Sequence, residues 1–380
     1  MTPEYTYRFA DLLSDSDICE LELANVRFDR RIIQPGAFSA SISVTNSDIA
    51  TQVKKVVPAR TIVHVYRDAD IWGTYIIWSM KMRSSSHGPV QVDIQGATLE
   101  SWFDKRLVDV DQGYIGLDQF HIARGLVENS QVGWSPYEAN ANLGIQYGSN
   151  ISGVNRDRRY YVTDGASVGQ RLQELAAVDN GFEYMVSTYV DEELGYRVRY
   201  FTIATQLGSE NLDVLFTYPG SISAYDITYD ATDAATAWWT RGDTIQDDAT
   251  ATEFPLMTTA PVLADEWLDN GFPHIDKVVD YASVTSLSTL QDYAAWWRDN
   301  HSGVVAVPVI EISTAETVTI IPPSALGTVA KFTIVDEMFE LGQFSSENRI
   351  IGIEVTPPER GSQERIRLVI ETEIDPTDVG

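Results

Sequence analysis

The sequence predicts a mainly β protein with α+β insertions, in which two small antiparallel β units bracket an α+β module. Three observations carry that reading. Apolar and polar residues alternate over the first hundred positions, as in Ile62, His64 and Tyr66 against Val63 and Val65, and alternation returns after about residue 304. Between these stretches, apolar residues fall at helical spacing. The chain also echoes itself, and a repeated unit constrains architecture more than any single motif does.

Residues 1–98 read as the first β unit, with strands in CELELANVRFD, AFSASISVT, RTIVHVYRD, WGTYIIWSMKMRSSS and VQVDIQGAT. Turn signals separate them at Gln34-Pro35-Gly36, Asp68-Ala69-Asp70 and His87-Gly88-Pro89. Five short strands at this spacing suggest a small barrel or sandwich. Residues 99–208 read as an α+β module. LESWFDKRLV and GLDQFHIARGLVENS have helical spacing, and Trp134 to Gly153 reads as a long loop. A strand, RYYVT, then leads into the helix SVGQRLQELAAVDNG. Ser167 and Gln170 pair as a capping box, Leu172, Leu175 and Ala176 form the buried stripe, and Gly181 closes the end. FEYMVSTYV and YRVRYFTIA form a hairpin across the polar turn Asp191 to Gly195.

The second β unit is assigned to residues 209–243 and 304–374, with strands in VAVPVIEI, TVAKFTIVD, RIIGIEVTP and ERIRLVIET. A helical insertion, 244–303, interrupts it. The insertion carries a capping box from Ser288 to Gln291 and an apolar stripe of Leu290, Tyr293, Ala294 and Trp297. Residues 375–380 are a short polar tail. The echo links the two units: Pro35-Gly36-Ala37-Phe38-Ser39-Ala40 returns as Pro219-Gly220-Ser221-Ile222-Ser223-Ala224. Behind it, TIVHVY, an acidic turn, YIIWSMKM and VQVDIQ are matched in order by VAKFTIV, an acidic turn, RIIGIEV and RIRLVIE.

Charge narrows the function classes. The 380 residues include 55 Asp+Glu against 27 Lys+Arg, a net charge of −28. A polyanion held through phosphates would be repelled, so a basic nucleic-acid binder is excluded, and docking on an anionic membrane is disfavoured. The sequence lacks an 18-residue apolar run and a signal peptide, so a soluble chain made in a cytoplasm is expected. Its one cysteine, Cys19, reads as a small buried hydrophobe.

Catalytic signals are sparse. Gly165-Ala166-Ser167-Val168-Gly169 matches the G-x-S-x-G elbow between a strand and a helix, but Ser167 also serves as the helix N-cap, and only His274 and His301 follow it. The five histidines, 64, 87, 121, 274 and 301, have no zinc-ligand spacing. Trp238-Trp239 and Trp296-Trp297 could stack on sugars, though core packing explains Trp297, with Trp296 free to meet a neighbour. Ser14-Asp15-Ser16-Asp17 and Asp109-Val110-Asp111 lack EF-hand spacing and read as solvated turns. No catalytic, cofactor-binding or metal-ligating residue is therefore assigned.

These patterns resemble the tail-tip or baseplate-hub (minor tail) proteins of long-tailed bacteriophages. The resemblance rests on the opening β unit (FSASISV, then PARTIVHVYR, an Asp turn, Ile-Trp-Gly and the run into LESWFDKR), on DGASVGQRLQELAAVDNGFEYMV, and on GIEVTPPERGSQERIRLVIET. It spans about Cys19 to Thr372. It implies a hub-like fold with two related β-barrels per chain, and a homotrimeric, non-enzymatic virion protein in the tail tip, assembled in the host cytoplasm. Three chains would then adapt a hexameric tail tube or distal tail ring. The implied partners are that ring, the tape-measure protein and tip or fibre proteins. DNA would pass through without specific binding, past a channel wall whose acidity keeps the duplex centred. The alternatives are a carbohydrate-active or esterase-like tail hydrolase and a sugar-binding adhesin.

Overall fold

A computed structural model of the chain describes residues 3–371 apart from 87, 179, 209–210, 248–251, 282–283, 314–321, 324–325 and 340–343. The expected turn residue His87 and the tail 375–380 lie outside the described residues. The first unit comprises β1 (Tyr5–Asp11), β2 (Asp17–Glu20), β3 (Ala24–Arg31), β4 (Ala37–Val44), α1 (Ser47–Val53), β5 (Thr61–Arg67), β6 (Asp70–Arg83) and β7 (Val90–Thr98). The module follows with α2 (Glu100–Phe103), β8 (Gln112–Asp118), α3 (Gln119–Ser130), β9 (Ile145–Tyr147), β10 (Asn155–Tyr160), α4 (Val168–Ala176), β11 (Glu183–Val190) and β12 (Arg197–Ala204). The second unit opens with β13 (Asn211–Tyr218) and β14 (Ile222–Asp230). It is interrupted by β15 (Ala237–Asp247), β16 (Thr252–Met257), β17 (Val262–Leu263), α5 (Asp265–Asp269), β18 (Asp276–Asp280) and α6 (Leu287–His301). It closes with β19 (Val305–Ile312), β20 (Val329–Ile334), β21 (Phe344–Thr356) and β22 (Arg365–Ile370).

The strand order of the first unit is β3-β4-β7-β6-β5-β1, and that of the second is β14-β19-β22-β21-β20-β13. Taken in chain order, these are the same topology. The difference lies at one end, where β1 runs antiparallel to β5 but β13 runs parallel to β20. A backbone detail repeats as well. Ala59, at φ 64, donates its N–H to the Ile77 carbonyl at 2.7 Å, and Gly327, at φ 92, donates to the Ile350 carbonyl at 2.7 Å. Each is a left-handed residue two positions before its strand, locking the entry to β5 or β20. The six-residue echo itself falls on non-equivalent strands, since Pro35-Gly36 precedes β4 whereas Pro219-Gly220 precedes β14, the counterpart of β3.

The expected barrels are open sheets. Rather than curling back, β3 pairs with the C-terminal half of β21, so the two units join into one 13-stranded sheet with Arg30 opposite Ile353 and Phe28 opposite Val355. One apolar cluster runs beneath both, from Phe38, Tyr75 and Val92 to Phe216, Phe332 and Ile353. The module packs its own core of Phe103, Leu126, Leu172 and Phe201 onto Ile62 and Ile76 of the first unit. That covering explains why β5 is buried on both faces despite its alternating sequence.

Other expectations need correction. β1 was not expected, although Tyr5, Tyr7 and Phe9 alternate, and α1 is a short helix capped by the Asn46 side chain, which accepts from the N–H groups of Asp48 and Ile49. Residues 116–118, expected to open a helix, instead end β8, which pairs with β10, and LESWFDKRLV is helical only at Glu100–Phe103. The expected loop from Trp134 to Gly153 contains β9, which pairs parallel with β12. The insertion expected to be helical is built on a sheet, with β16, β17 and β18 all paired to β15, and α6 lies over it. The α6 N-cap is Ser286, whose hydroxyl meets the Ser288 hydroxyl at 2.8 Å in place of the expected capping box.

Candidate functional site

The serine elbow resolves into local structure. Ser167 Oγ accepts from the Gln170 N–H at 3.0 Å, while the Gln170 amide turns away to Glu174 at 2.8 Å. Only half of the expected box is present. Gly169 owes its identity to packing, because a Cβ there would lie 2.0 Å from Asp104 Oδ1. The histidines are dispersed: His121 is exposed on α3, His274 is exposed beside Asp276 at 3.5 Å, and His301 lies tilted against Trp297 with ring centroids 4.4 Å apart. Among the described residues, no group of three or more His, Cys, Asp or Glu side chains could hold a metal.

The aromatic pairs divide as expected between core and rim. Trp238 is fully buried, stacks on Trp297 at 5.1 Å and donates to Ser302 Oγ at 3.1 Å. Trp296 is half-buried beside a groove of about 1090 Å³ between the insertion and the module. Cys19 is half-buried, and burial pushes its thiol pKa up.

Asp15 departs from the solvated turn expected for it. Its carboxylate accepts from Arg197 Nε at 2.7 Å and Arg199 Nη2 at 3.0 Å and lies 3.0 Å from His64 Nε2, while His64 Nδ1 meets Thr74 Oγ1 at 2.9 Å. Burial alone would raise the Asp15 pKa, but His64 and the two guanidinium groups overcome it and hold the carboxyl well below the usual range. Burial lowers the His64 pKa, and Asp15 only partly offsets this. The knot ties the β1–β2 turn and β5 to the module hairpin. Its sequence signal was Arg197 and Arg199, which share a face of β12. A second tie joins the same hairpin to β21: Arg349 binds Glu183 with both terminal nitrogens, and it also donates to the carbonyls of Gly327 and Leu207 at 3.1 Å each. Glu364, just before β22, takes Arg67 at 2.7 and 3.0 Å and the Tyr5 hydroxyl at 2.5 Å.

These ties hold the long sheet as one surface, and its outer face is the broadest built feature of the molecule. Phe38, Ala40, Ile42, Val92, Ile94, Ile353, Val355, Ile366 and Leu368 point into the core. Alternation therefore sends their neighbours outward on eight consecutive strands from β14 to β6. Across β4, β7 and β6 serine hydroxyls on the outward face bond to the neighbouring strand, Ser41 to Asp93 at 3.1 Å, Ser43 to Gln91 at 3.0 Å and Ser79 to Gln95 at 3.3 Å. Charged residues on the face are paired: Arg31 with Glu354 across the junction at 2.8 Å, Arg365 with Glu311 at 3.3 Å and Arg367 with Asp226 within the second unit, and Arg83 with Asp93 at 2.5 Å within the first. The face carries six basic side chains (Arg27, Arg31, Lys81, Arg83, Arg365, Arg367) and six acidic ones (Asp29, Asp93, Asp226, Asp230, Glu311, Glu354). The excess acidity of the chain lies elsewhere.

No family model and no curated protein matches the sequence. Solved structures do match over nearly the whole chain. The tail protein from Neisseria meningitidis aligns with 98% of this chain and 98% of its own, at 13% identity and a TM-score of 0.53. The 43 kDa tail protein of prophage MuSo2 from Shewanella oneidensis covers 99% and 100%, at 9% identity and a TM-score of 0.57. The prophage tail protein gp18 from Listeria monocytogenes covers 96% and 94%, at 10% identity and a TM-score of 0.50. The chain has the fold of these phage tail proteins.

Proposed function

We propose that this chain is a structural hub protein of a phage tail tip, acting in the virion as a homotrimer in which three copies, each with two β units, present a pseudo-six-fold ring to a hexameric tail tube or distal tail ring. The observation that carries the reading is the shared strand order of the two units and their junction through β21 and β3, since equivalent units joined edge to edge can continue into further copies. The domain division follows: a β unit at 1–98, a module at 99–208, a second β unit at 209–243 and 304–374, and an insertion at 244–303 available to the tape-measure protein and to tip or fibre proteins. The outward polar sheet face is the surface suited to line a DNA channel. Its equal numbers of acidic and basic side chains make it a neutral, hydrated wall, so the acidic lubrication expected from composition is not part of this proposal. Ser167 as a helix cap supports a non-enzymatic role. Native mass measurement with electron microscopy of the purified chain tests the proposal. A trimer with six lobes is expected, and a persistent monomer at tens of micromolar, or a ring without a pseudo-six-fold repeat, would overturn it.

A further inference from the structure

In each β unit one strand outruns its first hairpin partner. β6 pairs with β5 through its first half and with β7 through its second, and β21 does the same with β20 and β22. Both strands carry a bulge at the changeover, at Trp78 and at Ile351. The bulges and the carbonyls taken by Ala59 and Gly327 align Ile77 with Ile350, and hence Ser79–Arg83 with 352–356. In the second unit this stretch is covered by β3. In the first unit, among the described residues, no strand pairs with its outer edge. Val355 is accordingly 2% exposed, whereas its counterpart Met82 is 67% exposed. The counterpart of β3 is β14, whose outer edge also has no strand among the described residues. There Arg30 is 5% exposed and its equivalent Tyr229 is 54% exposed.

We propose that Ser79–Arg83 of one copy pairs antiparallel with residues 226–230 of a second copy, reproducing between molecules the junction that β21 and β3 make within one. This names the contact through which the ring proposed above forms, and so rests on that reading. The internal junction places Gly352, Ile353, Glu354 and Val355 opposite Arg31, Arg30, Asp29 and Phe28. Carried over, Ser79 faces Asp230, Met80 faces Tyr229, Lys81 faces Thr228, Met82 faces Ile227 and Arg83 faces Asp226. Met80 and Met82 then meet Tyr229 and Ile227 on the core side, covering the exposed apolar surface.

The charges on the outer side are complementary to this partner. The internal junction is braced diagonally by Arg31 and Glu354 at 2.8 Å. The equivalent pair between copies is Asp230 and Lys81, with the signs exchanged, and Arg83 adds a second pair by facing Asp226. A chain cannot satisfy its own free edges, because seven strand spacings of about 4.8 Å separate β14 from β6, roughly 34 Å. Each copy therefore offers one edge of each kind, and addition proceeds head to tail until the ring closes.

The test uses the full chain with Cys19→Ser. Lys81→Cys combined with Thr228→Cys should oxidise to a covalent ladder of dimer and closed trimer on a non-reducing gel, while Lys81→Cys with Ala224→Cys, about four residues out of register, should not. Lys81→Glu and Asp230→Lys should each weaken self-association several-fold in native mass spectra, and the double swap should recover it, with circular dichroism checking that each variant is folded. Crosslinking that ignores register, or an assembled wild type indifferent to both charge changes, would overturn the contact while leaving the hub reading intact. A folded wild type that stays monomeric would overturn both.

Discussion

Replacing Asp15 with Asn tests whether the module is fastened to the sheet by charge. The carboxylate is the shared acceptor for Arg197 and Arg199 and the partner of His64, whose side chains are 12%, 4% and 0% exposed. An amide of the same shape keeps one acceptor oxygen but turns a donor toward a guanidinium group. Stranding a buried charge costs about 3–5 kcal/mol, and charge-assisted hydrogen bonds contribute about 1.5–3 kcal/mol each. The low end applies here, because Arg197 keeps Asp17 at 2.6 Å and Arg199 keeps the carbonyls of Leu12 and Leu143 at 2.8 Å each. The expected loss is about 3 kcal/mol, or roughly 4 °C in melting temperature for a chain of 380 residues. Chemical denaturation at pH 7 measures it, with amide exchange on β12 reporting whether the hairpin loosens first. The pH dependence is a second reading. Both Asp15 and His64 have folded pKa values below their unfolded ones, so the unfolded chain binds protons first and their stabilisation is complete only above about pH 6.5. On acidification it is lost first through His64 and then, below about pH 4, through Asp15, so the gap between wild type and variant should narrow below pH 4. A loss under about 1 kcal/mol at pH 7, or a gap that fails to narrow below pH 4, would refute the reasoning.

Ser167→Ala should cost about 1 kcal/mol by removing the cap of α4, read by denaturation, and a loss of any hydrolytic activity would instead make Ser167 a nucleophile. Gly327→Ala should destabilise by about 1–3 kcal/mol, since φ is 92 and a Cβ would lie 2.1 Å from the Leu207 carbonyl oxygen; Ala59→Gly, at the equivalent left-handed position, should be neutral or slightly stabilising in the same melt. Arg349→Met should leave the Glu183 carboxylate with only the Leu207 N–H and cost about 3 kcal/mol, with exchange rising first in β11 and in residues 344–349.

The legible part of the sequence was whatever two or three turns of chain decide. Alternation placed β4 to β7 and β19 to β22, the hydroxyl of Ser167 announced α4, and the ordered match of TIVHVY, YIIWSMKM and VQVDIQ with later segments pointed to duplication. Short polar strands escaped the same reading: β8, with Gly113 and Gly116, and β9, of three residues, have too little apolar surface to set a period. Asp15 escaped because its partners lie 49, 182 and 184 positions along the chain.

By itself the sequence determined the β character and the two related units, because period, capping and spacing are local properties written in neighbouring residues. Only the tertiary structure decided that the units are open and joined through β21 and β3, that the outward face balances its charges, and that, among the described residues, no strand pairs with the outer edges of Ser79–Arg83 and β14. Edge pairing depends on backbone hydrogen-bonding groups that every residue carries alike, so the choice of partner strand is made where the chain folds back on itself and leaves almost no trace in composition or pattern.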